Sequence, residues 1–180
     1  MAIAAVAAMA SAASCGGDPF NIPWTAAPDT VLLYSMARPE LNLPSAFNFN
    51  RRTTVRVEAP GSTGNWDLAL DTRKGKLVFL PPRALGVDSR ARIASFPGMR
   101  FDELLEAPSD TTVYTSTEPV PVELNTVYVV RTGRSPGAFG RSCVYSAKLE
   151  PLDIDVEGGT LTFVFDSNPV CNSLALVPSN

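Results

Sequence analysis

Short apolar runs separated by turn residues are the feature that most restricts what this chain can fold into. The clearest example is NWDLALDTRKGKLVFLPP (65–82), in which two such runs flank a lysine–glycine pair at 74–75 and two prolines end the second run. Alternating runs around a tight turn predict a β-hairpin, and proline ends a strand because it has no N–H to donate. The alternation predicts that Trp66, Leu68 and Leu70 share one face of the first strand.

A second hairpin is predicted for LDIDVEGGTLTFVFD (152–166), where the glycines at 158–159 allow the positive φ angles of a tight turn. Alternation predicts two apolar sets that meet across the core: Leu152, Ile154 and Val156 on one strand, and Leu161, Phe163 and Phe165 on the other. Further strands are expected at 31–35, 53–59, 111–116, 125–132, 142–150 and 173–177. Only FDELLEAP (101–108) has a helical pattern, which ends at its proline.

These elements predict an all-β protein, a single antiparallel β-sandwich or open barrel with one short helix. A chain of 180 residues suits one domain, which we place at residues 31–178. Residues 16–30 contain three prolines and no periodicity. We interpret them as a linker or as an extended segment lying on the domain.

The first fourteen residues carry no charged side chain and consist mostly of alanine. They are too short to span a bilayer but have the length of the apolar region of a signal peptide. The sequence AASC at 12–15 resembles the lipobox of bacterial lipoproteins, in which the cysteine becomes the first mature residue and carries lipid. The resemblance implies a signal peptide at 1–14, a lipidated tether at 15–30 and a place in the bacterial cell envelope, as an outer-membrane or periplasm-facing lipoprotein.

The chain contains three cysteines, so one of them has no partner within the chain. Lipidation of Cys15 accounts for the odd one, and ordinary signal-peptide cleavage after Ala12 or Ala13 is the alternative. In an oxidising compartment Cys143 and Cys171 are expected to form a disulfide.

Charge and histidine content exclude several classes of function. The net charge of −3 gives no electrostatic reason to bind nucleic acid. The chain has no histidine, which removes the commonest general base and the usual ligand for metal and haem. We therefore predict no cofactor, no metal site and no nucleic-acid partner.

The stretch RTGRSPGAFGR (131–141) contains the G-x-S-x-G pattern of a hydrolase nucleophile at 133–137. Ser135 has no histidine to act as its general base, and Pro136 has no N–H to donate to an oxyanion. We therefore interpret the stretch as a loop between strands. Its three arginines among glycines are also typical of an anion-binding loop, over which a solvated surface loop is favoured.

Acidic and aromatic residues give three further hypotheses. DIDVEG (153–158) begins like a calcium loop, but Val164 occupies the position of the bidentate glutamate, so an exposed acidic strand face is favoured. A carboxylate-dependent hydrolase would draw on Asp67, Asp71, Asp153 or Asp155. Stacking on a flat ligand would involve Trp24, Trp66 and Tyr34, although core packing is favoured, most clearly for Trp66.

Several short pieces resemble the HmuY-type haem-binding lipoproteins, which are lipid-anchored all-β proteins. These pieces are WDLAL (66–70), FDELLEAPSD (101–110), YVVRT (128–132), AKLE (147–150) and GTLTFVF (159–165). The resemblance implies an all-β architecture and a surface location. The haem-ligating histidines of that family have no counterpart here, so haem binding would rely on Met36 and Met99 as axial ligands.

The leading prediction is an exported, membrane-anchored lipoprotein with a non-enzymatic role in binding or structure. Its expected partners are the membrane, through the lipid at Cys15, and an unidentified protein or small-molecule ligand. The alternatives are a carboxylate-dependent envelope hydrolase and a haem-binding protein without histidine ligands.

Overall fold

The computed structural model describes residues 24–178, which form two five-stranded antiparallel sheets packed as a β-sandwich. The strands are β1 (Asp29–Tyr34), β2 (Ala46–Asn48), β3 (Thr53–Val55), β4 (Leu68–Arg73), β5 (Lys76–Leu80), β6 (Arg92–Pro97), β7 (Val120–Pro121), β8 (Thr126–Arg131), β9 (Ser135–Pro136), β10 (Ser142–Cys143), β11 (Ser146–Asp155) and β12 (Thr160–Ser167). The first sheet has the order β1-β12-β11-β8-β6 and the second β3-β2-β4-β5-β7, while β9 pairs with β10. The predicted all-β sandwich is confirmed.

The core lies between the two sheets and is dominated by aromatic rings. Phe47 of the second sheet packs edge-on against Phe163 and Phe165 of the first, with ring centroids 5.9 and 4.7 Å apart. Phe79 meets Tyr128 in the same manner at 5.1 Å. Each edge-to-face pair adds about 0.5–1.5 kcal/mol beyond the area that it buries, so these contacts help to fix how the sheets face each other.

The hairpin of β4 and β5 forms as predicted, but Trp66 does not share a face with its neighbours. Leu68 and Leu70 lie in the central core, whereas Trp66 packs with Ala69 on the outer face of the second sheet. Strand β4 begins only at Leu68, so its two-residue period does not extend back to the tryptophan. The 3₁₀ helix at 82–85 contributes to the cover over this outer cluster, and the prediction that Trp66 is a packing residue is confirmed.

The second predicted hairpin is formed by β11 and β12, and its register shifts between Pro151 and Asp153. The apolar set of β12 is buried as predicted: Leu161, Phe163 and Phe165. Leu152 lies in the bulge and is 52% exposed, while Ile154 still packs against the core. A bulge adds one residue to a strand and interrupts its alternation, which is why the first apolar set is only partly buried.

Residues 101–108 are not helical, so the predicted short helix is wrong. Lys148 of β11 is buried and donates hydrogen bonds to the carbonyl oxygens of Phe101 at 2.6 Å and Leu104 at 2.9 Å. In a helix, those carbonyl oxygens would accept hydrogen bonds from the N–H groups four residues later. Here they accept from Lys148 instead, so a tertiary contact takes the place of the helical hydrogen bonds. The helical residues of the described chain lie in short 3₁₀ segments at Pro82–Leu85, Thr111–Val113 and Ala138–Gly140.

The segment predicted as the last strand, 173–177, covers the outer face of the first sheet instead. Its backbone bonds to the 101–108 segment, since Ala107 N donates to Leu174 O at 2.7 Å and Leu176 N donates to Leu105 O at 2.8 Å. The two segments bury an apolar cluster on that face, which is separate from the central core. Each sheet is therefore covered on its outer side as well as its inner side.

Three other predicted strands differ in extent. The strand expected at 53–59 ends at Val55, and the one expected at 142–150 is divided between β10 and β11. The stretch 111–116 contains a 3₁₀ turn and a single bridge from Thr115 to Ile93.

The end of the predicted tether is attached to the sandwich. Ala27 N donates to the Asp166 carboxylate at 3.1 Å, and Arg52 pairs with the same carboxylate at 3.0 Å. Arg52 also donates to the carbonyl oxygen of Ala27. Strand β1 starts at Asp29, so the last two residues of the predicted tether at 15–30 belong to the first sheet.

The predicted signal peptide at 1–14 and the predicted lipidation site at Cys15 lie outside the described residues. Within 24–178, no helix has the length and apolar content needed to span a membrane.

Candidate anion-binding site

Strands β6 and β8 place two arginines directly opposite each other, Arg92 and Arg131. Arg131 follows Val127 and Val129 in the alternation that faces the outer side of the first sheet. Its partner on the other side is Ser146 of β11. Opposed side chains of like charge destabilise a sheet, and neither cross-strand neighbour of Arg131 is acidic.

Arg131 is also nearly buried, with 8% of its surface exposed. Its Nε has no hydrogen-bond partner among the described residues. Burial lowers the pKa of the guanidinium, and the charge of Arg92 lowers that pKa further, yet an arginine side chain stays protonated in proteins. A buried cation without an anionic partner is unfavourable, so this arrangement points to an anionic ligand.

A cavity of about 170 Å³ lies beside this pair, and we call it the arginine pocket. Its lining consists of Arg90, Arg92, Arg131, Arg134, Val144 and Asn172. None of the ion pairs between described residues involves a pocket arginine. The pocket therefore concentrates positive charge in a chain whose net charge is −3.

One wall of the pocket is held by the disulfide between Cys143 and Cys171, whose Cα atoms are 5.0 Å apart. The pairing predicted for these cysteines is confirmed. The next residue after each cysteine, Val144 and Asn172, lines the pocket. Asn172 accepts from Val144 N at 3.0 Å and donates to Ser142 O at 3.2 Å, so covalent and hydrogen bonds fix the same wall.

Asp67 does not line the pocket but fixes the backbone next to it, and it is 5% exposed. Its carboxylate accepts hydrogen bonds from Phe49 N at 2.9 Å and from Gly133 N at 2.8 Å, and Gly133 precedes the pocket residue Arg134. Burial raises the pKa of Asp67 to about 6, against the lowering effect of both hydrogen bonds. Asp67 and Ser135 line a separate cavity of about 170 Å³, and the Ser135 hydroxyl is buried without a partner in the described chain.

Burial of Asp67 predicts how stability depends on pH. Its pKa is about 6 in the folded state against 3.8 for the free side chain, so the folded state binds the proton more tightly than the unfolded state. The contribution of this group to stability is then largest below about pH 4 and falls by roughly 3 kcal/mol as pH rises through about 6. The measurement is the unfolding free energy of the wild type and of Asp67→Asn across this pH range.

The difference between the unfolding free energies of these two proteins should change by that amount across this pH range. A constant difference between wild type and Asp67→Asn would contradict the raised pKa.

The structure changes the interpretation of the loop at 131–141. Arg131 is buried at the end of β8, so a solvated surface loop is wrong for that residue. The stretch from Arg134 to Arg141 is mostly exposed, as a surface loop predicts. Arg131 and Arg134 both line the pocket, and the anion-binding interpretation stays a prediction. Arg141 does not line the pocket. Sequence reasoning missed the arginines at 90–92, although the alternating stretch SRARIAS carries the signal, because residues two apart on a strand share a face.

The carboxylates considered for a hydrolase do not converge. Asp67 is buried and accepts from Phe49 N and Gly133 N, whereas Asp71 of β4 forms an ion pair with Arg73 at 3.2 Å. Asp153 and Asp155 lie on β11 of the other sheet, and Asp155 accepts from Gly158 N at 2.7 Å within the hairpin turn. In the described part of the chain, no group of three or more acidic or cysteine side chains could hold a metal ion.

The remaining aromatic and sulfur candidates are dispersed. Arg38 lies 5.4 Å from the centre of the Tyr34 ring, and Trp24 is half-buried. Met36 packs on the outer cluster of the second sheet, whereas Met99 lies in the turn after β6 of the first sheet. Because the two methionines lie beside different sheets, they are not placed to be the two axial ligands of one haem iron.

No family model matches this chain, and no curated protein matches it in sequence. The resemblances to lipobox lipoproteins and to HmuY-type proteins therefore stay predictions.

Proposed function

We propose that this chain is an exported lipoprotein of the bacterial envelope whose β-sandwich binds an anionic ligand in the arginine pocket. One observation carries the binding role. Arg131 is buried opposite Arg92, and its Nε has no partner among the described residues. A fold maintains such an arrangement at a cost in stability, which a bound oxyanion would offset.

The chemistry of the pocket suits a phosphate, sulfate or carboxylate group. Guanidinium groups form planar, bidentate hydrogen bonds with such oxyanions, and these charge-assisted bonds are about twice as strong as neutral ones. The burial of Arg131 strengthens the attraction further because water screens it less. Anion capture needs no general base, which suits a chain without histidine.

The binding role is favoured over the hydrolase alternative by the position of the carboxylates. Paired glycosidase carboxylates face one cleft about 5–9 Å apart, whereas the carboxylate of Asp71 forms an ion pair with Arg73 of its own strand. Asp67 is instead occupied in holding two backbone N–H groups. We therefore assign it a structural role beside the pocket.

Calorimetric titration with inorganic phosphate and with sulfate tests the binding role. The wild type should bind at least one of them saturably, and Arg134→Gln should weaken binding by about tenfold, the loss expected for one charge-assisted contact. Arg56→Gln removes an exposed arginine that follows β3 of the other sheet, and it should leave affinity unchanged. Equal losses in the two variants, or no saturable binding of either anion, would contradict the proposal.

The membrane anchor is supported by the AASC sequence at 12–15 and by the disulfide, which suits an oxidising compartment. Expression of the full precursor in a bacterial host with labelled palmitate tests it. The wild type should incorporate label and fractionate with membranes, and Cys15→Ser should do neither. Equal labelling of the two proteins, or an unlabelled wild type, would overturn lipidation at Cys15.

A further inference from the structure

The arginine pocket opens next to a second, larger cavity of about 450 Å³. Its lining consists of Arg83, Asp88, Ser89, Arg90, Arg92 and Ser116. Two arginines, Arg90 and Arg92, line both cavities, so the two spaces share a wall. We call the two together the basic cleft.

The residues that line the second cavity come from separate parts of the chain. Arg83 lies in the 3₁₀ helix that follows β5, and Ser116 is placed beside β6 by the bridge between Thr115 and Ile93. Ser89 Oγ accepts from Ala91 N at 3.1 Å, which leaves its hydroxyl hydrogen available to a ligand.

The basic cleft carries more positive charge than a single small anion would neutralise. Five arginines line it against one carboxylate, that of Asp88. Each cavity has arginines of its own, Arg83 in the larger one and Arg131 and Arg134 in the pocket, with two shared between them. This arrangement provides two adjacent positions for negative charge rather than one.

We infer that the ligand of the basic cleft is a small molecule carrying two or more linked phosphate groups, one in the arginine pocket and the next against Arg83 and Ser116. The inference rests on the proposed anion-binding function and goes further by naming the class of ligand. Together the cavities have the volume typical of a small-molecule site. The lining is arginine and serine with few apolar groups, so recognition falls on the charged part of the ligand.

Linked phosphates reach such a site from two sources, a free oligophosphate or a pyrophosphate carried by a membrane lipid. The second source has a feature of its own in the structure. Phe139 is fully exposed at the tip of the loop that begins with Arg134, and an exposed aromatic side chain there could enter a bilayer interface. The experiment therefore includes one arm for each source.

The first arm compares orthophosphate, pyrophosphate and tripolyphosphate by calorimetry on the full chain with Cys15→Ser, at matched ionic strength. Pyrophosphate should bind about tenfold or more tightly than orthophosphate, because it engages a second set of arginines. Arg83→Gln should remove most of that preference, whereas Arg134→Gln should weaken the binding of both anions. Arg56→Gln controls for the loss of one distant positive charge.

The second arm measures co-sedimentation of the same protein with phosphatidylcholine vesicles containing farnesyl pyrophosphate or farnesyl monophosphate. Selective recruitment to the pyrophosphate vesicles supports a lipid source, and selective binding of free pyrophosphate alone supports a free one. The inference is overturned if orthophosphate and pyrophosphate bind equally and neither vesicle recruits the protein. It is also overturned if Arg83→Gln leaves the preference intact, and in both cases saturable orthophosphate binding would leave the proposed function standing.

Discussion

Replacing Arg131 with methionine is expected to abolish anion binding and to raise the unfolding free energy by about 1–2 kcal/mol. The variant keeps a long side chain in the buried position but removes a charge that lies opposite Arg92 and an Nε without a partner in the described chain. Replacing buried ionic groups with apolar groups of similar volume often leaves the unfolding free energy unchanged or raises it. Calorimetric titration and urea denaturation of the same preparations measure both effects.

The two effects distinguish a ligand-binding residue from a structural one. If Arg131→Met instead lowers the unfolding free energy by more than about 1 kcal/mol, Arg131 stabilises the fold. Its lack of an acidic partner would then not indicate a ligand. Arg92→Met is the matched variant, because it removes the other member of the opposed pair. It should weaken anion binding without a comparable gain in stability, since Arg92 is less buried and lies over the Tyr114 ring at 4.9 Å.

Removing the disulfide with Cys143→Ser and Cys171→Ser together should lower the unfolding free energy by about 3–4 kcal/mol. The two cysteines are 28 residues apart, and opening that loop increases the conformational entropy of the unfolded chain. Anion affinity should fall as well under conditions where the variant is folded, because Val144 and Asn172 lose the covalent link that fixes their wall. Denaturation and phosphate titration provide the measurements.

Cys15→Ser is the matched control, since it replaces the third cysteine and should leave both the stability and the affinity unchanged. A double variant whose stability stays within about 0.5 kcal/mol of the wild type would show that the bridge does not hold this region.

Local alternation predicted the two main hairpins, and it failed where a distant contact decides the backbone. The apolar set of β12 is buried as its pattern indicates, but a bulge exposes Leu152 on the partner strand. The segment 101–108 has helical periodicity, yet the buried ammonium of Lys148 binds its carbonyl groups instead. Neither the bulge nor that contact has a signature within its own short stretch of sequence.

The candidate site was visible in the sequence only in part for the same reason. For the glycine- and arginine-rich stretch at 131–141, an anion-binding loop was only the alternative to the favoured solvated surface loop, yet this stretch supplies two of the pocket arginines. The other two are Arg92, the first residue of β6, and Arg90, which lies two residues before that strand. The pairing of β6 with β8 brings Arg92 opposite Arg131. The burial of Asp67 likewise depends on Phe49 and Gly133, which lie far from it along the chain.

Nuclear magnetic resonance of the arginine Nε–H groups during titration with phosphate tests the central claim most directly, because each guanidinium reports on its own contacts. The account predicts that the Nε–H signals of Arg131 and Arg92 shift together and saturate, while that of the exposed Arg56 stays in place. An unmoved Arg131 signal, or a uniform drift of all arginine signals without saturation, would show that phosphate does not enter the arginine pocket.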